Sequence, residues 1–594
     1  MLKHAHDLLK QYYGYSDFKP GQAQIITSIL QGKDTMAIMP TGAGKSLCFQ
    51  IPALIFDGMT LVISPLIALM KDQVDALGTL GVAATFINSS LPGHEVDRRI
   101  SAAVRGEYKL LYVAPERLES ERCRQLLQSL QISLVAIDEA HCVSQWGHDF
   151  RPSYRNISPF IDGLPHRPII GAFTATATEE VQNDIISLLS LTKPHVFVTG
   201  FDRQNLSFTV LRGENKRDFV LKYIVDNKDK SGIVYAGTRK EVDHLHELLI
   251  SKGYSCGKYH AGMEDTERTK HQEAFIYDEL AVIVATNAFG MGIDKSNVRY
   301  VIHYNMPKSM EAYYQEAGRA GRDGEPGECI LLFSAQDILL QKFLIEQNEL
   351  SPERKTNEYH KLQAVVDYCH TPRCLRKYIL EYFDENDVPD SCGNCSNCND
   401  KSKLVDITVE AQKIISCILR MKERFGIVLV AEVLKGSKNK KVLQAGFDRL
   451  STHGILKEQG LQEIKDTVNF LVAEDYLLLT EGEFPVLKLA QRAGGVLKNQ
   501  EIVWQKRREN KTAIQPDTSL FERLRTLRRE IAVREQVPPY VVFADSTLRE
   551  LCERTPETEQ MMRSIKGIGE IKLARYGAEF LQEIKRHIAE HVGG

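Results

Sequence analysis

The chain has 594 residues, of which 43% are hydrophobic, and a formal net charge of −3 at pH 7. This length predicts several domains, and the hydrophobic fraction is sufficient for each domain to bury a core. No apolar run reaches the roughly 18 residues that span a membrane, and the first residues lack an apolar signal core, so we expect a cytosolic protein with no membrane role. A net charge this close to zero neither requires nor excludes a nucleic-acid partner.

Residues 1 to about 335 alternate short apolar runs with helical patterns. The runs lie at residues 35–39, 60–64, 109–113, 134–137, 232–235 and 281–285. This alternation predicts parallel α/β units, which bind ligands at the carboxyl ends of their strands. Motifs for nucleotide chemistry fall in two sets on either side of residue 200, so we expect two parallel-sheet lobes, at residues 1–200 and 201–340.

A glycine-rich loop, TGAGKS, follows the first predicted strand and precedes the predicted helix Leu47–Ile55. Its glycines let backbone N–H groups wrap phosphates, while the lysine reaches the β- and γ-phosphates and the serine hydroxyl ligates Mg²⁺. Met39 stands where the strict motif has glycine, but the order of strand, loop and helix fits. The predicted ATP contacts are Thr41, Gly42, Ala43, Gly44, Lys45 and Ser46, of which Lys45 is also catalytic and Ser46 also a Mg²⁺ ligand.

Two adjacent carboxylates, Asp138 and Glu139, end the apolar run Ile132–Ile137. An acidic pair at a strand end can simply be solvated, but beside a phosphate loop it supplies the second half of an ATPase site. We expect Asp138 to hold Mg²⁺ through water, and Glu139 to orient or deprotonate the attacking water.

A loop rich in aromatic and basic residues follows the carboxylates directly. Aromatic rings and guanidinium groups stack on nucleobases, so this loop predicts contact with nucleic acid. His141 stands between the two sets, either as a strand-end cap or as the link that joins them. The residues assigned to nucleic-acid contact and coupling are His141, Trp146, Phe150, Arg151 and Tyr154.

Four of the twelve cysteines cluster, at Cys374, Cys392, Cys395 and Cys398. In a reducing cytosol such a cluster favours a metal over disulfides. Four thiolates form a closed tetrahedral structural Zn²⁺ site, and an iron–sulfur cluster is the alternative that the same ligand set allows.

Further motifs occur in order along the chain. They are GYSDFKPGQ at 14–22, LVISPLIALMKDQV at 61–74, DEAH at 138–141, TATAT at 174–178, IVYAGTR at 233–239, ATNAFGMGIDK at 285–295 and QEAGRAGRDG at 315–324. On these motifs the chain resembles the RecQ family of superfamily 2 DNA helicases, bacterial type, over essentially its whole length. Lys19 and Asn287 depart from the family pattern.

The resemblance implies an α/β fold with two RecA-like parallel-sheet lobes followed by smaller modules. The implied divisions are the lobes at 1–200 and 201–340, a helical zinc-binding module at 341–402, a winged-helix domain at 403–503, a linker at 504–517 and an all-helical HRDC (helicase-and-RNaseD C-terminal) domain at 518–594. Within the winged helix, Leu461–Ala473 is the expected recognition helix and residues 477–489 are the expected wing. By the family pattern, Cys369 is not a zinc ligand.

The resemblance also assigns roles at the nucleotide site. Gln22 is expected to hydrogen-bond adenine N6 and N7, with Tyr15 and Lys19 flanking the ring. The family usually has arginine at position 19, and lysine cannot stack as a plane, so we expect a weaker base clamp. Arg322 is expected to be the arginine finger with Arg319 supporting it, because two arginines three apart on a helix project from one face.

The implied function is an ATP-dependent 3′ to 5′ DNA helicase that opens duplexes, forks and recombination intermediates in recombination, repair and replication. Its cofactors would be ATP, Mg²⁺ and Zn²⁺, and its partners single-stranded and forked DNA. Single-strand-binding protein, a topoisomerase and a nucleoid location are family-level expectations. Two alternatives stay open: a DEAD-box-like RNA helicase and an ATP-gated DNA-binding scaffold.

Overall fold

Two parallel sheets dominate the computed structural model of the chain. Their strands are continuous apolar runs, because a strand covered by helices on both faces has no polar side. The α/β fold class with helical and winged-helix modules is confirmed. The structure describes residues 1–89, 91–147, 149–212, 214–290, 295–348, 350–400, 404–480, 485–506, 519–565 and 567–592.

The first lobe is a seven-stranded parallel sheet between helices. Its strands are β1 (Thr35–Ile38), β2 (Met59–Ile63), β3 (Ala84–Ile87), β4 (Leu110–Val113), β5 (Ile132–Ile137), β6 (Ile169–Thr174) and β7 (His195–Val198). Its helices are α1 (Leu2–Leu8), α2 (Gln22–Leu30), α3 (Leu47–Ile55), α4 (Ile67–Thr79), α5 (Gly93–Val104), α6 (Glu121–Gln128), α7 (Ile157–Asp162) and α8 (Glu179–Leu188), with a π-helical turn at Leu9–Tyr13 and 3₁₀ turns at Pro115–Glu119, Ala140–Val143 and Pro152–Asn156.

The strand order of this lobe places its motifs together. The order is β3-β4-β2-β5-β6-β1-β7, so β6 lies between β1 and β5. The phosphate loop follows β1, the acidic pair follows β5, and the TATAT motif begins at the last residue of β6. Because all seven strands run parallel, these three segments meet at one edge of the sheet.

The second lobe is a six-stranded parallel sheet with the order β10-β11-β9-β12-β13-β8. Its strands are β8 (Leu206–Arg212), β9 (Ser231–Tyr235), β10 (Cys256–Tyr259), β11 (Val282–Ala285), β12 (Val298–His303) and β13 (Gly327–Phe333). Its helices are α9 (Lys216–Asp226), α10 (Arg239–Ser251), α11 (Asp265–Ile276) and α12 (Met310–Ala317). Residues 291–294 of the predicted ATNAFGMGIDK motif lie outside the described residues.

The zinc-binding module is helical and leads into the winged-helix domain. Its helices are α13 (Ala335–Gln347), α14 (Pro352–His370), α15 (Leu375–Tyr382) and α16 (Ser396–Asn399). The winged-helix domain comprises α17 (Thr408–Arg420), α18 (Ile427–Lys435), α19 (Lys440–Gln444), a 3₁₀ turn at Phe447–Arg449, α20 (Leu461–Ala473) and α21 (Ala493–Leu497), with strands β14 (Leu404–Asp406), β15 (Leu477–Leu479), β16 (Leu487–Leu489) and β17 (Trp504–Lys506). Strands β15 and β16 pair antiparallel as the predicted wing, whose turn at residues 481–484 lies outside the described residues.

The structure bears on two predictions in this domain. Helix α20 has the predicted bounds, but it packs against α14 and α18 and buries every residue from Thr467 to Ala473. A recognition helix meets DNA through its N-terminal residues, and in this half of α20 Gln462 and Glu463 are exposed, so the recognition role stays a prediction. Residues 504–506, predicted to begin a linker, instead form β17, which pairs antiparallel with β14; the predicted linker residues 507–517 lie outside the described residues.

The C-terminal domain is all-helical and has its own core. Its helices are α22 (Ser519–Glu535), α23 (Pro539–Val542), α24 (Asp545–Arg554), α25 (Glu559–Met562), α26 (Glu570–Lys572) and α27 (Ala578–Val592), with a π-helical turn at Leu573–Gly577. Leu548, Phe543 and Phe580 are fully buried at its centre. None of the described helices of the chain is long and apolar enough to cross a membrane.

Candidate active site

The phosphate loop is bonded directly to the segment predicted to read the nucleobase. Gln22 Nε2 donates to the carbonyls of Ala43 (2.9 Å) and Gly44 (3.0 Å), and Gln22 Oε1 accepts from the Lys19 backbone N–H at 2.8 Å. Lys19 Nζ donates to the Gly42 carbonyl at 2.8 Å. The side chains assigned to the adenine ring therefore hold the loop assigned to the phosphates.

Lys45 lies on the wall of a cavity of about 1150 Å³, and its Nζ donates to the Met39 carbonyl at 3.1 Å. Asp138 and Glu139 line the same cavity. Burial lowers the pKa of Lys45, although both carboxylates oppose that shift. An ammonium group that has lost hydration gains the most from a multiply charged anion, which fits the assignment to phosphates.

Asp138 is a buried carboxylate next to a second carboxylate, an environment that favours a bound cation. Burial, followed by the charge of Glu139, raises the pKa of Asp138 to about 7. A Ser64 hydroxyl (3.4 Å) and the Glu139 backbone N–H (3.0 Å) are its hydrogen-bond donors. A further cation would keep this carboxylate ionised, and Asp138 and the Ser46 hydroxyl line the same cavity, so the donor set fits Mg²⁺.

Glu139 adopts a left-handed backbone conformation, with φ at 47°. Such a conformation is uncommon for a residue other than glycine and persists only where its surroundings impose it. Its Oε2 lies 3.4 Å from His141 Nδ1 and accepts no hydrogen bond from the described part of the chain. This carboxylate oxygen is therefore buried against the imidazole of His141.

His141 links the end of β5 to the end of β6. Its Nδ1 lies 2.9 Å from the Thr174 hydroxyl, which donates to the Thr176 carbonyl at 3.1 Å. Burial lowers the pKa of His141 to about 4, so the ring is neutral at physiological pH. A buried, neutral His141 is a connecting residue rather than a direct contact for DNA.

The structure places Tyr154 in the core of the first lobe, which contradicts its predicted stacking role. Its ring is fully buried, and its hydroxyl donates to the Asp138 carbonyl at 2.8 Å. A nucleobase cannot stack on a ring inside the core, so the stacking role predicted for Tyr154 is wrong. The hydroxyl instead fixes the backbone of the acidic pair to the 3₁₀ turn Pro152–Asn156.

Trp146, Phe150 and Arg151 of the aromatic-rich loop (residues 144–155) are half-buried, and neighbouring segments hold the loop in place. Arg151 Nη1 donates to the Pro65 carbonyl at 3.0 Å, which ties the loop to the segment after β2. Helix α14 of the zinc-binding module contacts the loop twice: Lys361 Nζ donates to the Trp146 carbonyl at 2.9 Å, and the Arg354 guanidinium lies 5.8 Å from the centre of the Phe150 ring. Residue 148 of this loop lies outside the described residues.

Arg319 and Arg322 were expected to project from one face of a helix, but both lie after the end of α12. The helix ends at Ala317, and Gly321 then takes a positive φ of 56°, which turns the chain. Arg319 is buried beside Tyr235, whereas Arg322 lines the cavity with Lys45. The finger assignment therefore falls on the arginine that the turn directs to the cavity.

Arg203, which no sequence motif includes, bridges the two lobes. Its guanidinium donates to the Thr41 carbonyl of the phosphate loop, and to the carbonyls of Ala320 (3.0 Å) and Gly321 (2.7 Å) in the second lobe. A Cβ atom at Gly318 would collide with the Thr41 hydroxyl, so the lobes touch at this point. Nothing in the sequence around Arg203 signals this role, because its partners are backbone carbonyls of distant segments.

The four predicted cysteines converge. Their sulfur atoms all lie within 4.8 Å of one another, and Cys392 Sγ is 4.0 Å from Cys398 Sγ. Tetrahedral zinc with Zn–S distances of about 2.3 Å needs sulfurs roughly 3.8 Å apart, so the set fits the metal. Cys395 is buried, and its backbone forms a bridge with Phe208 of β8, which fixes the module to the second lobe.

Models of known protein families match most of the chain. They are the DEAD/DEAH box helicase at residues 19–184, the helicase conserved C-terminal domain at 215–324, RecQ zinc-binding at 335–399, the RQC domain at 401–513 and the HRDC domain at 517–584. The ATP-dependent DNA helicase RecQ of Bacillus subtilis is 52% identical over 588 residues, which cover 99% of each chain. Proteins of the same name from Pasteurella multocida and Haemophilus influenzae are each 41% identical, and the matches cover 98% of this chain and 94% and 96% of theirs.

The chain belongs to the RecQ family of ATP-dependent DNA helicases. This membership supports a DNA helicase over the two alternatives, a DEAD-box-like RNA helicase and an ATP-gated DNA-binding scaffold. It also assigns the four-cysteine cluster to zinc rather than to iron and sulfur. The helicase uses ATP and Mg²⁺, and DNA is its substrate.

The zinc site predicts a specific pattern of cysteine variants. Cys395→Ala should lose the bound zinc and lower the melting temperature by roughly 10 °C or more, because structural zinc supplies folding free energy. Cys369→Ala, in a buried neighbour outside the cluster, should keep one zinc per chain. Metal content by mass spectrometry and thermal melting test this, and an unchanged melting curve after proven zinc loss would contradict the structural role.

Proposed function

We propose that ATP binds in the cavity between the lobes and that the residues on its walls carry out hydrolysis. Lys45 neutralises the β- and γ-phosphates, Ser46 and Asp138 hold Mg²⁺, and Glu139 orients or deprotonates the attacking water. The remaining phosphate contacts come from Thr41, Gly42, Ala43 and Gly44. The single observation that carries this proposal is that Lys45, Asp138, Glu139 and Arg322 line one cavity, although they come from both lobes.

Arg322 acts as the arginine finger in this proposal. It reaches the cavity from the second lobe, so it can meet the γ-phosphate only while the lobes are closed. Arg319 supports it from the buried side of the turn. ATP binding thus favours closure and hydrolysis favours opening, which supplies the stroke for stepping along DNA. Tyr15, Lys19 and Gln22 take the adenine, and the bonds of Lys19 and Gln22 to the phosphate loop support a link between base binding and loop geometry.

We infer that the aromatic-rich loop reports DNA binding to the ATP site. Trp146 and Phe150 are half-buried and reachable, whereas Tyr154 and His141 are buried and bonded to the motifs of the cavity. Arg151 adds the bond to the segment after β2. A base that displaced Trp146 or Phe150 would therefore shift the loop, and the contacts of Tyr154 and His141 would transmit this shift to Asp138 and Glu139.

Movement from 3′ to 5′ and action on forks and recombination intermediates in recombination, repair and replication are also part of the proposal. We further propose that the helicase works with single-strand-binding protein and a topoisomerase, and that it is located with the nucleoid. Family membership supports these points, since unwinding produces single strands and topological strain wherever it occurs on the chromosome.

Lys45→Ala tests the nucleotide assignment. We expect it to abolish ATP hydrolysis with and without single-stranded DNA, because the loop loses its charge for the phosphates. Lys33→Ala, which removes an exposed lysine outside the cavity, is the matched control and should behave as the native chain does. Steady-state assays with DNA and with an RNA of the same sequence complete the test; DNA-stimulated hydrolysis by Lys45→Ala would contradict the assignment.

Arg322→Ala should separate binding from hydrolysis. An arginine finger acts on the transition state, so we expect kcat to fall by about 10³-fold or more, with nucleotide affinity within about threefold of native. Arg217→Ala, which removes an exposed arginine of the same lobe, should leave both values unchanged. A loss of affinity equal to the loss of kcat would instead indicate ground-state binding by Arg322.

The double variant Trp146→Ala with Phe150→Ala tests the proposed sensor. We expect basal ATP hydrolysis to remain and stimulation by single-stranded DNA to disappear, because the reachable rings of the loop are gone. Trp504→Ala removes the other tryptophan, which is exposed on β17, and should keep full stimulation. If the double variant still responded fully to DNA, the coupling role of this loop would be wrong.

A further inference from the structure

The C-terminal domain docks across the cleft and contacts both lobes. On the first lobe, the turn at Gly569 packs so tightly on Gly14 that a Cβ atom at either position would meet the other's backbone, and Arg575 Nη1 donates to the Thr79 carbonyl at 3.2 Å. On the second lobe, Arg525 Nη1 donates to the Asp229 carbonyl at 2.8 Å. These contacts come from different helices of the domain, so they define one orientation rather than a single tether.

Ion pairs reinforce the contact with the second lobe. Arg528 is fully buried, and its Nη1 donates to Asp545 of its own domain at 2.8 Å, while its Nη2 lies 3.7 Å from Asp278 of the second lobe. Asp278 also pairs with the buried Lys295. Burial alone would raise the pKa of Asp278, but the charges of Lys295 and Arg528 lower it to about 2. Removing one member would strand a buried charge, which makes the docked arrangement specific.

A second ion pair lies nearer the surface of this interface. Arg549 of α24 pairs with Glu325, which precedes β13 of the second lobe. Neither residue lines the nucleotide cavity. This pair can therefore be altered to test docking without changing the walls of the nucleotide site.

The docked domain forms part of the cavity wall. The domain contributes Tyr540, Arg554, Arg563, Ile568 and Lys572 to the lining of the cavity, which the phosphate loop and Arg322 also line. Arg554 pairs with Glu550, but Arg563 and Lys572 form no ion pair with any residue in the described ranges. Burial lowers the pKa of Lys572 to about 8. Two cationic groups thus face a cavity that already holds Lys45, without carboxylate partners of their own.

We propose that the docked C-terminal domain completes the nucleotide site, with Arg563 and Lys572 supplying positive charge to the bound nucleoside triphosphate. Both cations line the same cavity as Lys45 and Arg322, the two cations assigned to the phosphates. Because binding energies are reciprocal, a nucleotide that gains from these charges also favours the docked position of the domain. This inference rests on the proposed assignment of ATP to the cavity.

The test is the affinity of the full chain for a fluorescent ADP analogue with Mg²⁺, in the absence of DNA. Arg563→Ala with Lys572→Ala should weaken binding by roughly tenfold, as expected for two charge-assisted contacts. Arg529→Ala with Lys585→Ala removes two exposed cations of the same domain outside the cavity, and should bind within about twofold of native. The tenfold difference should shrink at high salt, because screening weakens partly exposed charges.

Docking itself is tested by reversing the surface ion pair. Arg549→Glu should weaken binding of the analogue, and adding Glu325→Arg to it should restore the native affinity. A melting temperature of the Arg549→Glu variant equal to that of the native chain shows that weaker binding does not come from misfolding. Two results would overturn the docked arrangement as a nucleotide-binding state. One is native affinity in the Arg549→Glu variant. The other is a swapped pair that does not recover the affinity lost by Arg549→Glu.

Lys45→Ala separates the two levels of the proposal. If Lys45→Ala binds the analogue as tightly as the native chain, the cavity is not the nucleotide site, and both the proposed function and this inference fail. If Lys45→Ala loses the analogue while Arg563→Ala with Lys572→Ala keeps native affinity, the proposed function stands and this inference alone is refuted.

Discussion

The contact between the phosphate loop and the turn after α12 is the constraint on which the rest of the structure depends. Thr41 touches Gly318, and Arg203 donates to carbonyls on both sides. Because these bonds use backbone atoms, they fix the lobes to each other without consuming the charged side chains of the cavity. Lys45, Asp138, Glu139 and Arg322 line the cavity between the lobes, which agrees with the proposed ATP site.

Burial gives these side chains their chemical character. The loss of water lowers the pKa of Lys45 and raises that of Asp138 to about 7, although each group partly stabilises the charge of the other. His141 is neutral for the same reason, and it connects Glu139 to Thr174 through short contacts. An anionic phosphate beside Lys45 and a metal cation beside Asp138 would each stabilise the charged form of these side chains.

The accessory modules act on this centre from two sides. Helix α14 of the zinc-binding module holds the aromatic-rich loop through Lys361 and Arg354, and the zinc cluster in turn fixes that module to β8. The C-terminal domain covers the other side of the cavity and adds two cations to its wall. The proposed DNA sensor and the proposed nucleotide site are thus both contacted by domains that lie far from the phosphate loop in sequence.

The sequence by itself determined the features whose chemistry is local. The phosphate loop, the acidic pair and the four cysteines are short patterns whose function follows from adjacent residue types, and the apolar runs set the two parallel sheets. Only the tertiary structure decided which of several similar side chains faces the site. The helix end at Ala317 and the turn at Gly321 separate Arg322 from Arg319, and packing buries Tyr154 while leaving Phe150 within reach. Arg203, Arg563 and Lys572 belong to no motif, because their roles arise from contacts between segments that folding brings together.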